Sequence, residues 1–302
     1  MTESSAIQAK GLTKHYGNLE ALVDLDLDVS SGEVFGFLGP NGAGKTTAIR
    51  TLMDEIRPTA GSASILGLDC HKESVEIRRH LGYLPSDLAL YPNLTGKDTL
   101  TYFANLRGGV EWSYVEELSE RLGADLTKKV GDLSSGNRQK VGLIQAFMNR
   151  PQVLIMDEPS NGLDPLVQRE FQAMMRESVA QGAAVFLSSH TLSEVQRVAD
   201  RVGIIRKGHL IAVETVSSLR SKAMRRVELE LGSAADATVL ESVPGVRDVS
   251  VDDRRATLSY DGKMAVLLRT VAEQYDVVDI ATQEADLEEI FLTYYRSKEG
   301  SG

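Results

Sequence analysis

From Ile7 to Val29 the apolar and polar positions follow a strand pattern, that of an edge sheet, broken by the turn residues Tyr16-Gly17-Asn18. The continuous apolar run Val34-Phe35-Gly36-Phe37-Leu38 predicts a buried strand, and Thr47 to Met53 a helix. A further strand is expected near Ser62 to Leu66. After it, Glu73 to Leu81 reads as a short helix and Gly82-Tyr83-Leu84-Pro85 as a strand that stops at proline. From about Thr95 to Arg150 the pattern reads as wholly helical. Leu100, Phe103, Ala104 and Leu118, Leu122 recur at helical spacing, with Val141, Ile144, Gln145 and Met148 less regular.

Two strong apolar strands follow, Val153 to Met156 and Ala183 to Leu187, joined by a helix from Leu166 to Gln181. Strand, helix and strand in this order make a parallel crossover unit, so the chain is α/β with the helical block inserted between two halves of a sheet. Around Leu219-Arg220-Ser221-Lys222 the alternation gives way to a charged segment, which predicts a boundary. Beyond it, strands are expected at Val227 to Leu231, Val246 to Val251, Ala256 to Tyr260 and Val277 to Ile280. Helices are expected to close at Val239 to Val243 and to span Met264 to Glu273 and Leu287 to Tyr295. These form a small second domain of α+β type.

Composition narrows the classes. Of 302 residues, 42% are hydrophobic, ample for a packed core, and the formal net charge of −10 argues against a nucleic-acid partner held by phosphate neutralisation. The single cysteine, Cys70, excludes an intrachain disulfide and a cysteine metal cluster. Met1 to Ala6 lacks the basic start and apolar stretch of a secretion signal, and no segment approaches the roughly 18 apolar residues of a spanning helix. Any role at a membrane is therefore expected to need another chain that crosses it.

Gly39-Pro40-Asn41-Gly42-Ala43-Gly44-Lys45-Thr46 fits G-x-x-x-x-G-K-[ST] between the predicted strand and helix. Glycines let successive N–H groups curl around one anion, and the helix N-terminus adds partial positive charge. Lys45 is expected to reach the β- and γ-phosphates of a nucleotide and the Thr46 hydroxyl to hold Mg²⁺, with Thr47 in the same cradle. The strand Val153 to Met156 delivers Asp157-Glu158-Pro159 at its C-terminal end, the edge of a parallel sheet where ligands gather. Asp157 is expected to bind Mg²⁺, directly or through water, and Glu158 to polarise the attacking water.

Between them lies Leu133-Ser134-Ser135-Gly136-Asn137-Arg138-Gln139-Lys140. Here the chain resembles the ATP-binding subunits of ABC transporters, whose signature usually reads L-S-G-G-Q. Ser135 replaces the usual glycine and Asn137 the usual glutamine. The resemblance runs over roughly residues 5 to 220. It implies a P-loop NTPase fold, a RecA-like core with an antiparallel edge sheet and an inserted helical subdomain at about 87–150; the small α+β domain at 225–297, which carries no comparable polar cluster, is expected to serve regulation or dimerisation. It also implies that Ser134, Ser135, Gly136 and Asn137 meet the γ-phosphate held by a second subunit, in a homodimer or heterodimer. Tyr16 matches the aromatic that stacks on adenine, Ser160 to Asp164 the loop that crosses the dimer interface, and His190 the histidine that senses the γ-phosphate.

One departure touches the chemistry. Leu81-Gly82-Tyr83-Leu84-Pro85-Ser86 places Ser86 where the family carries a glutamine that contacts Mg²⁺ and the lytic water. Serine is too short to span that gap unaided, so either a water completes the metal contact of Ser86 or the site hydrolyses slowly. The ending Asp286-Leu287-Glu288-Glu289-Ile290-Phe291-Leu292 resembles that of subunits serving ABC-2 type exporters, as does Leu90-Tyr91-Pro92-Asn93-Leu94-Thr95. Leu287, Ile290, Phe291 and Tyr294 mark one helix face, expected to pack against the rest of the protein.

The expectation is an ATPase subunit, using ATP and Mg²⁺, at the cytoplasmic face of the membrane. It would power a separate ABC-2 type permease that exports drugs, antibiotics or other amphiphilic compounds. Two alternatives stand beside it. A soluble ABC switch would carry two cassettes or long coiled-coil insertions, and the sequence has neither; a low-hydrolysis regulatory subunit is permitted by Ser86 and Ser135 but disfavoured by Glu158.

Overall fold

The chain opens with two long antiparallel strands, β1 (Ser5–Tyr16) and β2 (Leu19–Ser30), turning at Gly17-Asn18. The computed structural model describes residues 5–222 and 225–283. In β2, Leu25, Leu27 and Val29 point inward while Asp24, Asp26 and Asp28 stay in water, so the period of two buries one face. With β4 (Ala60–Ile65) and β5 (Leu68–Asp69) these strands form a four-stranded sheet in the order β2-β1-β4-β5.

The second sheet of this unit is built on β3 (Val34–Leu38), every residue of which is buried. It is joined by β6 (Leu81–Leu84), β7 (Val153–Asp157), β8 (Ala184–Ser189), β9 (Arg201–Arg206) and β10 (His209–Thr215) in the order β10-β9-β3-β8-β7-β6. All pairings are parallel except β9 with β10. Helices α1 (Lys45–Leu52), α2 (Ser74–His80), α6 (Pro165–Ala180) and α7 (Leu192–Val198) accompany it, and α6 is the expected crossover between β7 and β8. Phe35, Phe37 and Phe186 share one apolar core with Ala48 and Ile49 of α1 and with the first sheet. Gly36 faces the opposite way, where a Cβ would overlap Val195 of α7.

The stretch expected to be wholly helical is broken into α3 (Gly96–Leu106), α4 (Trp112–Leu122), a 3-10 turn at Val130–Asp132 and α5 (Ser135–Phe147). Local chemistry sets the breaks. Thr95 and Asp98 form a reciprocal capping box at the start of α3, Gly123 stops α4 in a left-handed conformation, and Ser134 caps α5.

The chain divides into two compact units after Thr215. The boundary expected near Leu219 to Lys222 thus differs from this division by the length of α8 (Val216–Lys222). The second unit continues with β11 (Arg225–Leu231), α9 (Ala237–Glu241), β12 (Val246–Asp252), β13 (Arg255–Tyr260), α10 (Met264–Gln274) and β14 (Val277–Gln283). Its antiparallel sheet runs β12-β13-β11-β14, a βαββαβ arrangement of ferredoxin-like order. Val227, Leu229, Leu258, Tyr260, Leu267 and Val271 give this unit a core of its own. The expected last helix, with Leu287, Ile290, Phe291 and Tyr294, lies outside the described residues.

Candidate nucleotide site

Parallel register brings three strand ends level. Leu38 pairs with Ser189 and Asp157 with Ser188, so Gly39, Glu158 and His190 leave the sheet side by side. The loop from Gly39 turns into α1 at Gly44, whose φ of +110° and whose contact, 2.5 Å from a virtual Cβ to the Ala21 carbonyl, admit only glycine. The first N–H groups of α1 have no carbonyl one turn earlier, a feature that suits an anion.

The side chains converge on that start. Thr46 Oγ1 donates to Asp157 Oδ2 at 2.8 Å, and Ser188 Oγ donates to Asp157 Oδ1. The Glu158 N–H donates to Ser188 Oγ at 3.0 Å. Glu158 Oε1 lies 3.2 Å from Lys45 Nζ, with the two side chains only 12% and 6% exposed. Lys45 Nζ also donates to the carbonyls of Gly39 at 2.6 Å and Pro40 at 3.3 Å. His190 Nδ1 sits 2.7 Å from Glu158 Oε2. Lys45 is therefore folded over its own loop with its charge met by Glu158, and incoming phosphate oxygens can exchange for those partners. Glu158 holds a left-handed φ of +52°, a conformation costing about 1 kcal/mol or more in a non-glycine residue.

Lys45, Thr46, Asp157, Glu158 and His190 thus form one hydrogen-bonded cluster. Other expected site residues stand apart from it. Tyr16 ends β1 with 46% of its surface exposed and Lys14 Nζ 5.0 Å from its ring centroid, so a cation lies over this aromatic ring. Ser134 Oγ accepts from the Asn137 N–H at the start of α5. The Asn137 amide is spent within the helical block, accepting from Asp125 N–H and donating to the Asp125 carbonyl, each at 3.0 Å. Asp164 caps α6 by accepting from Leu166 and Val167 N–H groups. Ser86 is exposed just beyond β6, and among the described residues its hydroxyl makes no hydrogen bond.

No sequence motif marks Ser188. The signal available was positional: a serine next to the last residue of an apolar strand, brought opposite Asp157 once β8 pairs with β7. Nearby, Tyr83 of β6 has its phenol pKa pushed up by burial and by the carboxylates of Glu55 and Asp157. Tyr83 also lines a groove of about 1230 Å³ between β6 and the helical block. Met53, Leu88, Phe103 and Leu106 line it too, with Arg78 and Arg107 among its polar groups.

Comparison with known proteins agrees with this geometry. Residues 22–161 match the family model described as ABC transporter. The bacitracin transport ATP-binding protein BcrA of Bacillus licheniformis is 34% identical over 296 residues, 96% of this chain and 97% of that protein. The daunorubicin resistance ATP-binding protein DrrA3 of Streptomyces coeruleorubidus is 34% identical over 300 residues, 95% of each. A solved structure of an ATP binding subunit of an ABC transporter superposes with a TM-score of 0.67 at 31% identity, covering 72% of this chain and 93% of that one. No helix among the described residues is long and apolar enough to cross a membrane. A phosphate loop facing paired carboxylates at the edge of a parallel sheet, together with relatives matched along nearly the whole chain, assigns the chain to the ABC transporter family, as an ATP-binding subunit and ATPase.

Proposed function

We propose that this ATPase powers an ABC-2 type exporter, working with a separate membrane permease to expel drugs, antibiotics or other amphiphilic compounds from the cytoplasmic face. The observation that carries the chemistry is the cluster in which Glu158 touches both Lys45 and His190 while Asp157 touches Thr46. In this reading Lys45 turns from Glu158 to the β- and γ-phosphates, which leaves the Glu158 carboxylate free to take a proton from water. His190, hydrogen-bonded to the same carboxylate, orients it and faces the γ-phosphate. Thr46 and Asp157 offer adjacent hard oxygens that suit Mg²⁺, which when bound neutralises charge on the phosphates.

Tyr16 stacks on the adenine. Ser134 and the first N–H groups of α5 meet the nucleotide of a second copy, which gives two sites shared head to tail. The groove lined by Leu88, Phe103 and Leu106 is open, sets these apolar side chains beside Arg78 and Arg107, and is bordered by β6, whose Tyr83 feels the charge of Asp157. It suits a short amphipathic segment of the permease. Export of drugs or antibiotics is supported by the relatives named for bacitracin transport and daunorubicin resistance. Co-purification with the permease, followed by ATPase assays with a panel of amphiphilic compounds, tests this: stimulation by one chemical class supports it. A basal rate indifferent to every compound, with no permease recovered, would overturn it.

A further inference from the structure

Within one chain, the start of α5 is tied to the loop that follows Glu158. Gln139 of α5 is 9% exposed, and its Nε2 donates to the Pro159 carbonyl across 2.9 Å. On the same helix Gly136 lies so close to that loop that a Cβ would stand 2.7 Å from the Gly162 carbonyl. Pro159 directly follows Glu158, whose own N–H is held by Ser188 Oγ. The strained peptide that carries the Glu158 carboxylate is therefore fixed on one side by β8 and on the other by α5.

This arrangement links two different nucleotides. In the paired reading given above, α5 meets the γ-phosphate held by the partner subunit, whereas Glu158 belongs to the site of its own chain. A shift of α5 toward that phosphate moves Gln139, and the Gln139 amide moves the peptide beside Glu158. Packing of Gly136 on Gly162 leaves no slack in which the movement could be lost.

We propose that Gln139 is a positioning residue that sets Glu158 of its own site when the partner subunit's nucleotide is in place. Each carboxylate is then aligned by occupancy of the opposite site, and hydrolysis is cooperative in ATP. The inference rests on the paired-subunit reading.

Mixed pairs of the full-length chain, purified through two affinity tags, separate this from a scaffolding role. One chain carries Glu158→Gln, so only the other turns over. Gln139→Met, which keeps length and removes the amide, should lower turnover about fivefold when placed in the live chain, with nucleotide affinity unchanged. Placed in the Glu158→Gln chain it should leave turnover at the level of the mixed pair without it. The symmetric Gln139→Met pair should also show a Hill coefficient for ATP that falls toward 1 from the wild-type value. Loss confined to the second placement would mean that Gln139 only supports α5 for the opposite site, and would overturn the proposal; so would equal loss in both, no loss in either, or unchanged cooperativity. Gln139→Glu, which sets a carboxylate against the Pro159 carbonyl, serves the same comparison should Gln139→Met fail to fold. Failure of unmodified and Glu158→Gln chains to pair with ATP would overturn the paired reading itself, and is seen before any change at Gln139 is made.

Discussion

Ser188 is a single hydroxyl that serves two groups, donating to Asp157 Oδ1 and accepting the Glu158 N–H. Ser188→Ala leaves both with one partner fewer in a largely buried place, a loss of about 1–3 kcal/mol. Part should appear as stability and part as misplacement of Glu158. Steady-state kinetics should show kcat reduced about tenfold with a smaller change in KM, and urea unfolding a lower midpoint. Wild-type kcat together with wild-type stability would show that neither carboxylate depends on this hydroxyl. Of the site residues, those legible in the sequence are the ones fixed by local spacing: the loop from Gly39 to Thr46, and Asp157-Glu158 at a strand end. Ser188 and Gln139 gain their contacts only through strand register and helix packing, which no local spacing encodes.

Helix α4 is bound to α6 by one arginine. Arg121 Nε donates to Glu170 at 2.6 Å, and its Nη1 and Nη2 grip Glu177 at 2.7 and 2.8 Å. The hydrogen bond from Arg121 holds the Glu177 carboxyl below its ordinary value of 4.5. A depressed folded pKa contributes stability that is complete above the unfolded value and is lost as pH falls through the folded one. Glu177→Gln should therefore cost about 1 kcal/mol at neutral pH, modest because the pair is partly in water, and should flatten the acid limb of stability below about pH 5. Urea unfolding across that range checks it; superimposable pH slopes would mean the pair contributes nothing. The same elements show why the helical block, helical as expected, is not continuous. Leu100, Ala104, Leu118 and Leu122 do carry helical periodicity, but the stop at Gly123 and the restart at Ser134 are capping events that an apolar count does not register. Strands β9 and β10 and the short α7 mix charged with apolar residues over too few positions for periodicity to separate helix from strand, whereas the unbroken apolar runs of β3 and of Val153 to Met156 in β7 stand out.

At the scale of the whole molecule, every member of the cluster around Lys45 and Glu158 belongs to the first unit, and the second closes its own core around Val227, Leu258 and Leu267. A chain ending at Thr215 should bind a fluorescent ATP analogue with unchanged affinity, while pairing or coupling to the permease suffers. A truncated protein that is folded by circular dichroism yet binds no nucleotide would assign the second unit a direct part in the site. The most direct test of the chemistry is Glu158→Gln in the full chain. This change keeps the shape of the side chain beside Lys45 and His190 and removes the basic carboxylate. With ATP and Mg²⁺, binding should persist, paired subunits should accumulate on gel filtration, and single-turnover hydrolysis should fall by about 10² to 10⁴-fold. Hydrolysis at the wild-type rate would contradict the assignment of Glu158 as the base.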